Sequence, residues 1–440
     1  MKNNMADSRS WKAGGLGLYI HIPFCIRKCR YCDFLSFPSD QATREANVRQ
    51  LLVEIQEWGD RLNHCRVDTV FFGGGTPTVL ETRQLCAILV AVNKAFSVDK
   101  DAEVSMEMNP GTDREDLGDL IKAGINRVSI GLQSTEDALL AKLGRIHNFE
   151  AFRSTYTHLR DLGLTNINID LMNALPGQTL SDWETTLKKV VDMKPEHISA
   201  YSLIIEPGTP FAKMEEDGLL DLPDEETERM MYQRVAEILR DGGYHRYEIS
   251  NYARDGYECR HNKRYWTGKP YLGLGLGASS YMDQMRWKNT SDMETYLSIS
   301  RVNYSCDSCM MTEFGDMDIP DGDKNCSDSQ NSQNEHHRIA YQMDSGMDPQ
   351  STLRDYLQKK AEKNQVEELE VSSSQDQMEE FMITGLRLME GVSSEVFQER
   401  FASSMEEVFG DVIKGHIRDG LLRRTAEGIA LTDKGIDISN

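Results

Sequence analysis

Between residue 16 and about residue 250 the apolar and polar positions repeat one plan: a short β-rich run, a glycine or polar turn, then a segment of helical period. The β-rich runs are GLYIHI, VDTVFFGG, AEVSMEM, NRVSIGL, NINIDLM and HISAYSL, and helical segments such as REANVRQLLVEIQEWGDRL and SDWETTLKKVVDM lie between them. Strands alternating with helices of this length predict parallel βα units, since a parallel neighbour is reached only by a crossover that packs back on the sheet. Six units make most of a TIM-like barrel, and a seventh short strand, HRYEIS, is expected after them. The fold class is therefore α/β, a partial (β/α)6 barrel.

The pattern divides the rest of the chain. Residues 1–15 read as a short tail, 16–250 as the barrel and 251–304 as a connecting region. Residues 305–375 are rich in Asp, Ser, Asn and Gln and read as a polar, partly disordered insertion; its Cys306, Cys309 and Cys326 lie in too polar a setting to suggest a metal site. From 376 to 440, helix-period segments near 376–389, 394–408 and 411–420 lead into GLLRRTAEGIALTDKG, whose two short apolar runs suggest a hairpin and hence a winged-helix-like α+β domain. That domain holds 13 acidic and 7 basic residues, so docking suits it better than groove binding.

Composition narrows the class. A net charge of −22 over 440 residues argues against a nucleic-acid partner. No apolar run reaches the length of a membrane span, and the start, MKNNMADSRSWKAGG, lacks the apolar core of a signal peptide. Nine cysteines scattered through so long a chain do not form a secreted disulfide framework, and a cytoplasmic location is expected.

Barrel chemistry collects at the C-terminal ends of the strands. There the chain places Cys25, Cys29 and Cys32 after strand one, the run Gly73–Pro77 after strand two, Glu107 and Asn109 at strand three, and Gln133 and Ser134 at strand four. Asp170 lies in strand five, and Tyr201 and Ser202 in strand six. Three thiols admit two readings. With His21 as a fourth ligand they could hold zinc; alone, they suit an iron–sulfur cluster with one iron left open. The glycine run lets a ligand approach the backbone closely, and Glu107, Gln133, Arg145 and Asp170 could meet its hydroxyls and carboxylate.

The spacing CxxxCxxC, with Tyr31 before the last cysteine and GGGTP after strand two, resembles the radical S-adenosylmethionine (SAM) enzymes. The resemblance implies a [4Fe–4S] cluster on Cys25, Cys29 and Cys32, whose open iron is chelated by SAM and whose electron would cleave the sulfonium to a 5′-deoxyadenosyl radical. It carries Tyr19, Tyr31, Gly74, Gly75, Thr76, Glu107, Gln133, Arg145 and Asp170 over to the SAM site. Further motifs, among them EMNPGT, GINRVSIGLQS, LGRIH, NINIDLMNALPGQT and ISAYSLIIEPGTP, resemble the oxygen-independent coproporphyrinogen III oxidase family.

That family contains a porphyrinogen decarboxylase and a haem-chaperone, HemW-like branch. The decarboxylase resembles CxxxCxxCxC and has a longer segment ahead of the cluster; this chain has Phe34 at the extra cysteine and 24 residues before Cys25. HNKRYW, residues 261–266, resembles the HNxxYW haem motif of the chaperones. His261 would be an axial ligand, with Asn262, Tyr265 and Trp266 around the porphyrin; Cys259 is a weaker competitor. The resemblance implies haem as cargo, haem-acceptor proteins with respiratory-chain components among them, and a reductant such as flavodoxin. Decarboxylation of coproporphyrinogen III is the alternative. The run GLGLGAS, residues 273–279, matches GxGxxG poorly and reads as a tight turn near the barrel rim.

Overall fold

The structure is a computed structural model that describes residues 14–111, 116–299 and 352–439. The chain first runs β1 (Leu16–Ile22), α1 (Gln41–Arg61), β2 (Arg66–Gly74), α2 (Thr82–Ala95), β3 (Ser97–Met108), α3 (Leu117–Lys122), β4 (Arg127–Gln133), α4 (Asp137–Leu143) and α5 (Phe149–Asp161). Then follow β5 (Ile167–Asn173), α6 (Leu180–Met193), β6 (His197–Ser202), α7 (Pro210–Glu216) and α8 (Glu225–Asp241). Strands β1 to β6 pair in parallel and in sequence order, the expected (β/α)6 arrangement.

Period-two alternation sorts the faces. Leu16, Leu18, Ile20 and Ile22 of β1, with Val67, Val70 and Phe72 of β2, join the helices in one apolar core. The intervening residues face the barrel interior: Gly17, Tyr19 and His21 from β1, Thr69 and Phe71 from β2, Glu103, Ser105 and Glu107 from β3. Register sets Tyr19 beside Phe71, Phe71 beside Ser105, Glu107 beside Ser129, and Gly131 beside Asp170. The apolar wall makes the fold and the polar lumen is left for chemistry.

The barrel stays open. HRYEIS does not add a seventh parallel strand: β7 (His245–Arg246) pairs antiparallel with β8 (Asn251–Ala253), and β8 pairs antiparallel with β6. A short hairpin needs no crossover, so the chain turns back directly. On the other side β1 pairs in parallel with β9 (Tyr271–Leu274), which follows helix α9 (Arg260–Trp266). From β9 the sheet continues through β10 (Ser279–Met282) and β11 (Met285–Asn289), and α10 (Met293–Ser298) follows. After the undescribed stretch come α11 (Leu353–Glu362) and β12 (Val366–Val371), and β12 pairs with β11.

This last part lies at the end of the segment expected to be a polar, partly disordered insertion. Residues 353–371 are folded because Tyr356 and Leu357 are buried in the main core, with Tyr356 edge-on to Trp58 at 5.4 Å. Cys306, Cys309 and Cys326 lie outside the described residues.

The C-terminal unit comprises α12 (Ser374–Gly385), β13 (Val392–Ser393), α13 (Ser394–Phe401), α14 (Met405–Arg418), β14 (Leu422–Arg424), β15 (Gly428–Leu431) and α15 (Asp433–Ile438), with sheet order β13-β15-β14. It is winged-helix-like, around a second core of Phe381, Val392, Phe397, Met405, Ile413 and Ile429. Its helices differ from the expected spans: α13 stops at Phe401 because Ala402 turns left-handed (φ 53°), and the Ser404 hydroxyl caps α14. The unit joins the barrel where Met389 N donates to Tyr247 O (3.0 Å) and Arg387 approaches the buried Glu248 (3.6 Å). Among the described residues no helix is long and apolar enough to cross a membrane.

Candidate cluster, nucleotide and haem sites

The three cysteines lie in the loop after β1, all partly exposed. The loop is pinned at both ends. Cys25 N donates to Phe37 O (3.1 Å) and Phe37 N to Pro23 O (3.0 Å); beyond them Arg30 N donates to Leu143 O and Phe211 N to Arg30 O. Thr76 Oγ1 stands 3.6 Å from Cys25 Sγ, and an Arg145 guanidinium nitrogen 3.5 Å from Cys29 Sγ. Burial pushes the Cys32 thiol up, and the Cys29 and Cys25 thiols add to the shift.

The donor set fits an iron–sulfur cluster better than zinc. His21, the fourth ligand a zinc site would need, is 7% exposed with both ring nitrogens engaged: Nδ1 with Tyr19 OH (3.0 Å) and Nε2 with Leu35 O (2.9 Å). Among the described residues no set of His, Cys, Asp or Glu side chains closes round a single ion. A cubane does not require that, because each thiolate takes a different iron.

The residues expected to meet SAM fall into two groups. Arg145 and Thr76 stand beside the thiols, linked by Asn109, whose Nδ2 donates to Thr76 Oγ1 (2.7 Å) and whose Oδ1 accepts from Arg145 (2.6 Å). Tyr31 is hydrogen-bonded to Arg145. With Cys29 and His147, these side chains of Thr76, Asn109 and Arg145 line a shallow open cleft beside the thiols. Burial and the Arg145 charge lower His147 to about 4, so its imidazole is neutral at pH 7.

Tyr19, Glu107 and Asp170 form the second group, in the lumen. Glu107 Oε2 accepts from Gly74 N (3.1 Å), and burial, reinforced by Asp170, pushes its carboxyl up to about 8. Asp170 accepts from Ser129 Oγ (3.0 Å) and Asn168 Nδ2 (2.7 Å). Gln133 ends β4 with a left-handed φ of 72°.

The glycine run is also required by the packing of the cluster loop. A Cβ on Gly75 would stand 2.5 Å from Phe24 O, and one on Gly74 would strike the His21 ring. Protein atoms take the space that side chains would need at these two positions, which leaves the backbone groups themselves to meet a ligand. Asn109, placed at the end of strand three by the sequence but not among the residues carried over to the SAM site, lies one residue past the end of β3.

The HNKRYW motif lies in α9, which packs against Gly17 of β1, Thr69 of β2 and Glu103 of β3. His261 is fully buried: Nδ1 meets Thr69 Oγ1 (2.9 Å), Nε2 meets Tyr265 OH (2.8 Å), and Phe71 stacks on its ring at 5.2 Å. Glu103 accepts from His261 N (3.0 Å) and Arg260 N (2.9 Å), anchoring the start of the helix. Gly17 leaves room for Arg264, which is ion-paired with Asp68 and donates to Pro270 O (2.9 Å). Burial lowers the His261 imidazole to about 3. One helical turn on from Asn262, Trp266 faces the C-terminal unit, with the Arg387 guanidinium 4.4 Å from its ring. Cys259 is buried against Glu103 and pushed up to about 12, which keeps it a thiol. The GLGLGAS turn is held by Gly275 N donating to the buried Glu54 carboxylate (2.9 Å).

The chain is similar to known proteins along its length. The radical SAM superfamily model matches residues 19–190, and the HemN C-terminal domain model matches residues 373–438. The heme chaperone HemW of Lactococcus lactis is 32% identical over 427 residues, covering 96% of this chain and 94% of the relative. That of Bacillus subtilis is 31% identical, covering 96% of each. The structure of coproporphyrinogen III oxidase from Escherichia coli, a radical SAM enzyme, superposes with a TM-score of 0.72 at 22% identity, over 96% of this chain and 88% of that one, which shows the shared fold. Full-length similarity at this level places the chain in the heme chaperone HemW family of radical SAM proteins.

Proposed function

We propose that the chain is a haem chaperone, taking haem as cargo and handing it to acceptor proteins, respiratory-chain components among them, in the cytoplasm. Its resident groups would be a [4Fe–4S] cluster on Cys25, Cys29 and Cys32 and SAM bound by Tyr19, Tyr31, Gly74, Gly75, Thr76, Glu107, Gln133, Arg145 and Asp170. When bound, the cluster would supply one electron, drawn from a reductant such as flavodoxin. Arg145 and Thr76 would orient the ligand beside the thiols, while Glu107 and Asp170 would take its hydroxyls in the lumen. The HNKRYW helix in the 251–304 region would hold haem, and the unit from 376 onward would serve docking.

The observation that carries this reading is identity above 30% along the whole chain to proteins named heme chaperone, against 22% to the decarboxylase. Phe34, 64% exposed where the decarboxylase pattern has a further cysteine, favours the same side. The test is haemin titration of the anaerobically reconstituted protein: a saturable Soret band is expected. Conversion of coproporphyrinogen III to protoporphyrinogen IX, given SAM and a reductant, would establish the decarboxylase reading instead.

A further inference from the structure

The loop that carries the three thiols is basic on a chain that is acidic. Of residues 25–35, Arg27, Lys28 and Arg30 are positive and Asp33 alone is negative, whereas the whole chain has 71 acidic against 49 basic side chains. Lys142 of α4 adds a positive charge beside the loop, where Arg30 reaches its carbonyl oxygen (3.5 Å). All four basic side chains are exposed. Their hydrogen bonds go to carbonyl oxygens: Arg27 to Gly144 O (2.9 Å), Lys28 to Phe34 O (2.8 Å) and Lys142 to Pro176 O (3.0 Å). Among the described residues none of the four is ion-paired. Like charges held together without counter-ions repel one another, and an approaching negative surface relieves that repulsion. Apolar surface lies among them. Ile26, Phe34 and Ile146 are exposed, and Ile26, Arg27 and Ile146 share the shallow cleft that reaches Cys29. An apolar centre with a polar rim is the composition of a protein interface. A patch this small suits a transient electron-transfer encounter, which buries less than about 1,200 Å2.

We propose, resting on the reading above that the three cysteines hold a cluster served by an external reductant, that Arg27, Lys28, Arg30 and Lys142, around Ile26 and Phe34, form the docking surface for a small acidic redox protein. A net charge of −22 repels such a partner from the chain as a whole. The basic loop attracts it locally, so the field turns the donor toward the partly exposed thiols. One electron passes from the donor's reduced flavin, which becomes the semiquinone, to the oxidised cluster; no bond forms or breaks.

The experiment compares the anaerobically reconstituted full chain as wild type, as Lys28→Glu/Arg30→Glu and as a control, Arg418→Glu/Arg423→Glu, which reverses two exposed charges on the C-terminal unit. Iron content and circular dichroism check cluster and fold. Two readouts are followed: calorimetric affinity for oxidised flavodoxin, and the rate at which reduced flavodoxin bleaches the visible absorption of the cluster. In wild type both should weaken about tenfold as salt rises from about 20 to 300 mM. At low salt the loop variant should lose about tenfold in each, with most of its salt dependence, while the control stays within about twofold of wild type. Photoreduced deazariboflavin, small and uncharged, should reduce all three at one rate. A loop variant that binds flavodoxin and accepts its electron as wild type does overturns the proposal. So does one slowed equally with deazariboflavin, since the charges then serve the cluster alone. Wild type that ignores flavodoxin and sediments with phosphatidylglycerol vesicles makes the face a lipid contact, which overturns it too. Wild type that assembles no cluster overturns the cluster reading by itself, and the affinity titration still decides the surface.

Discussion

Replacing Gly75 by alanine tests whether the glycine run supports the cluster loop. The new Cβ would stand 2.5 Å from Phe24 O and 2.9 Å from Ile22 O, both backbone atoms. A carbon next to a carbonyl oxygen needs about 3.3 Å, so the two chains must part by several tenths of an ångström. The parting strains two hydrogen bonds, Gly75 N to Ile22 O (2.8 Å) and Thr76 N to Phe24 O (2.7 Å). Overpacking costs about 1–3 kcal/mol and each weakened bond about 0.5–1.5 kcal/mol, so a loss of about 3 kcal/mol is expected. For a unit of this size that lowers the melting temperature by about 6–12 °C. Phe24 immediately precedes Cys25, and the Thr76 hydroxyl touches the Cys25 sulfur, so iron and sulfide retained after anaerobic reconstitution should fall as well. Gly415→Ala is the control: it lies in helix α14 with nothing within 4 Å of the added methyl, and should stabilise by up to about 1 kcal/mol. A Gly75→Ala protein that melts with wild type and keeps its full iron content refutes the argument.

Two further outcomes follow from buried carboxyls. Glu107 is raised from 4.5 to about 8, so the folded protein holds a proton that the unfolded chain releases across that window. Stability therefore falls as pH rises from about 4.5 to 8 and levels off above, with a slope of at most about 1.4 kcal/mol per unit. Glu107→Gln should flatten the melting temperature between pH 5.5 and 8.5; an unchanged slope counts against the assignment. Glu54 accepts from Gly275 N (2.9 Å), Asn289 Nδ2 (2.7 Å) and Tyr296 OH (2.8 Å), all buried. Glu54→Gln turns one acceptor into a donor facing donors and should cost about 1–3 kcal/mol by denaturant unfolding; a variant as stable as wild type would contradict this.

Much of the architecture was legible along the chain because strand alternation is a local signal. Five of the six runs show their apolar side every second residue, the β2 run shifting by one after Val67, and that is the side found against the helices. The cluster loop and HNKRYW could likewise be located as positions. The closing of the fold was not legible: β8 beside β6, β9 beside β1, and the return of residues 353–371 to the sheet join segments far apart in sequence. Nothing local in VEELEV names Met285–Asn289 as its partner.

The same division runs through the sites. The sequence by itself determined which donors the chain carries: three thiols on one short loop, carboxyls at lumen-facing positions, and a histidine one helical turn before a tyrosine. Only the tertiary structure decided which atoms remain free. It spent both nitrogens of His21 on Tyr19 and Leu35, filled the space at Gly74 and Gly75 with protein, and buried His261 behind Tyr265. The physical reason is that a donor type is a property of one residue, whereas its availability depends on every neighbour that packing brings within hydrogen-bond reach.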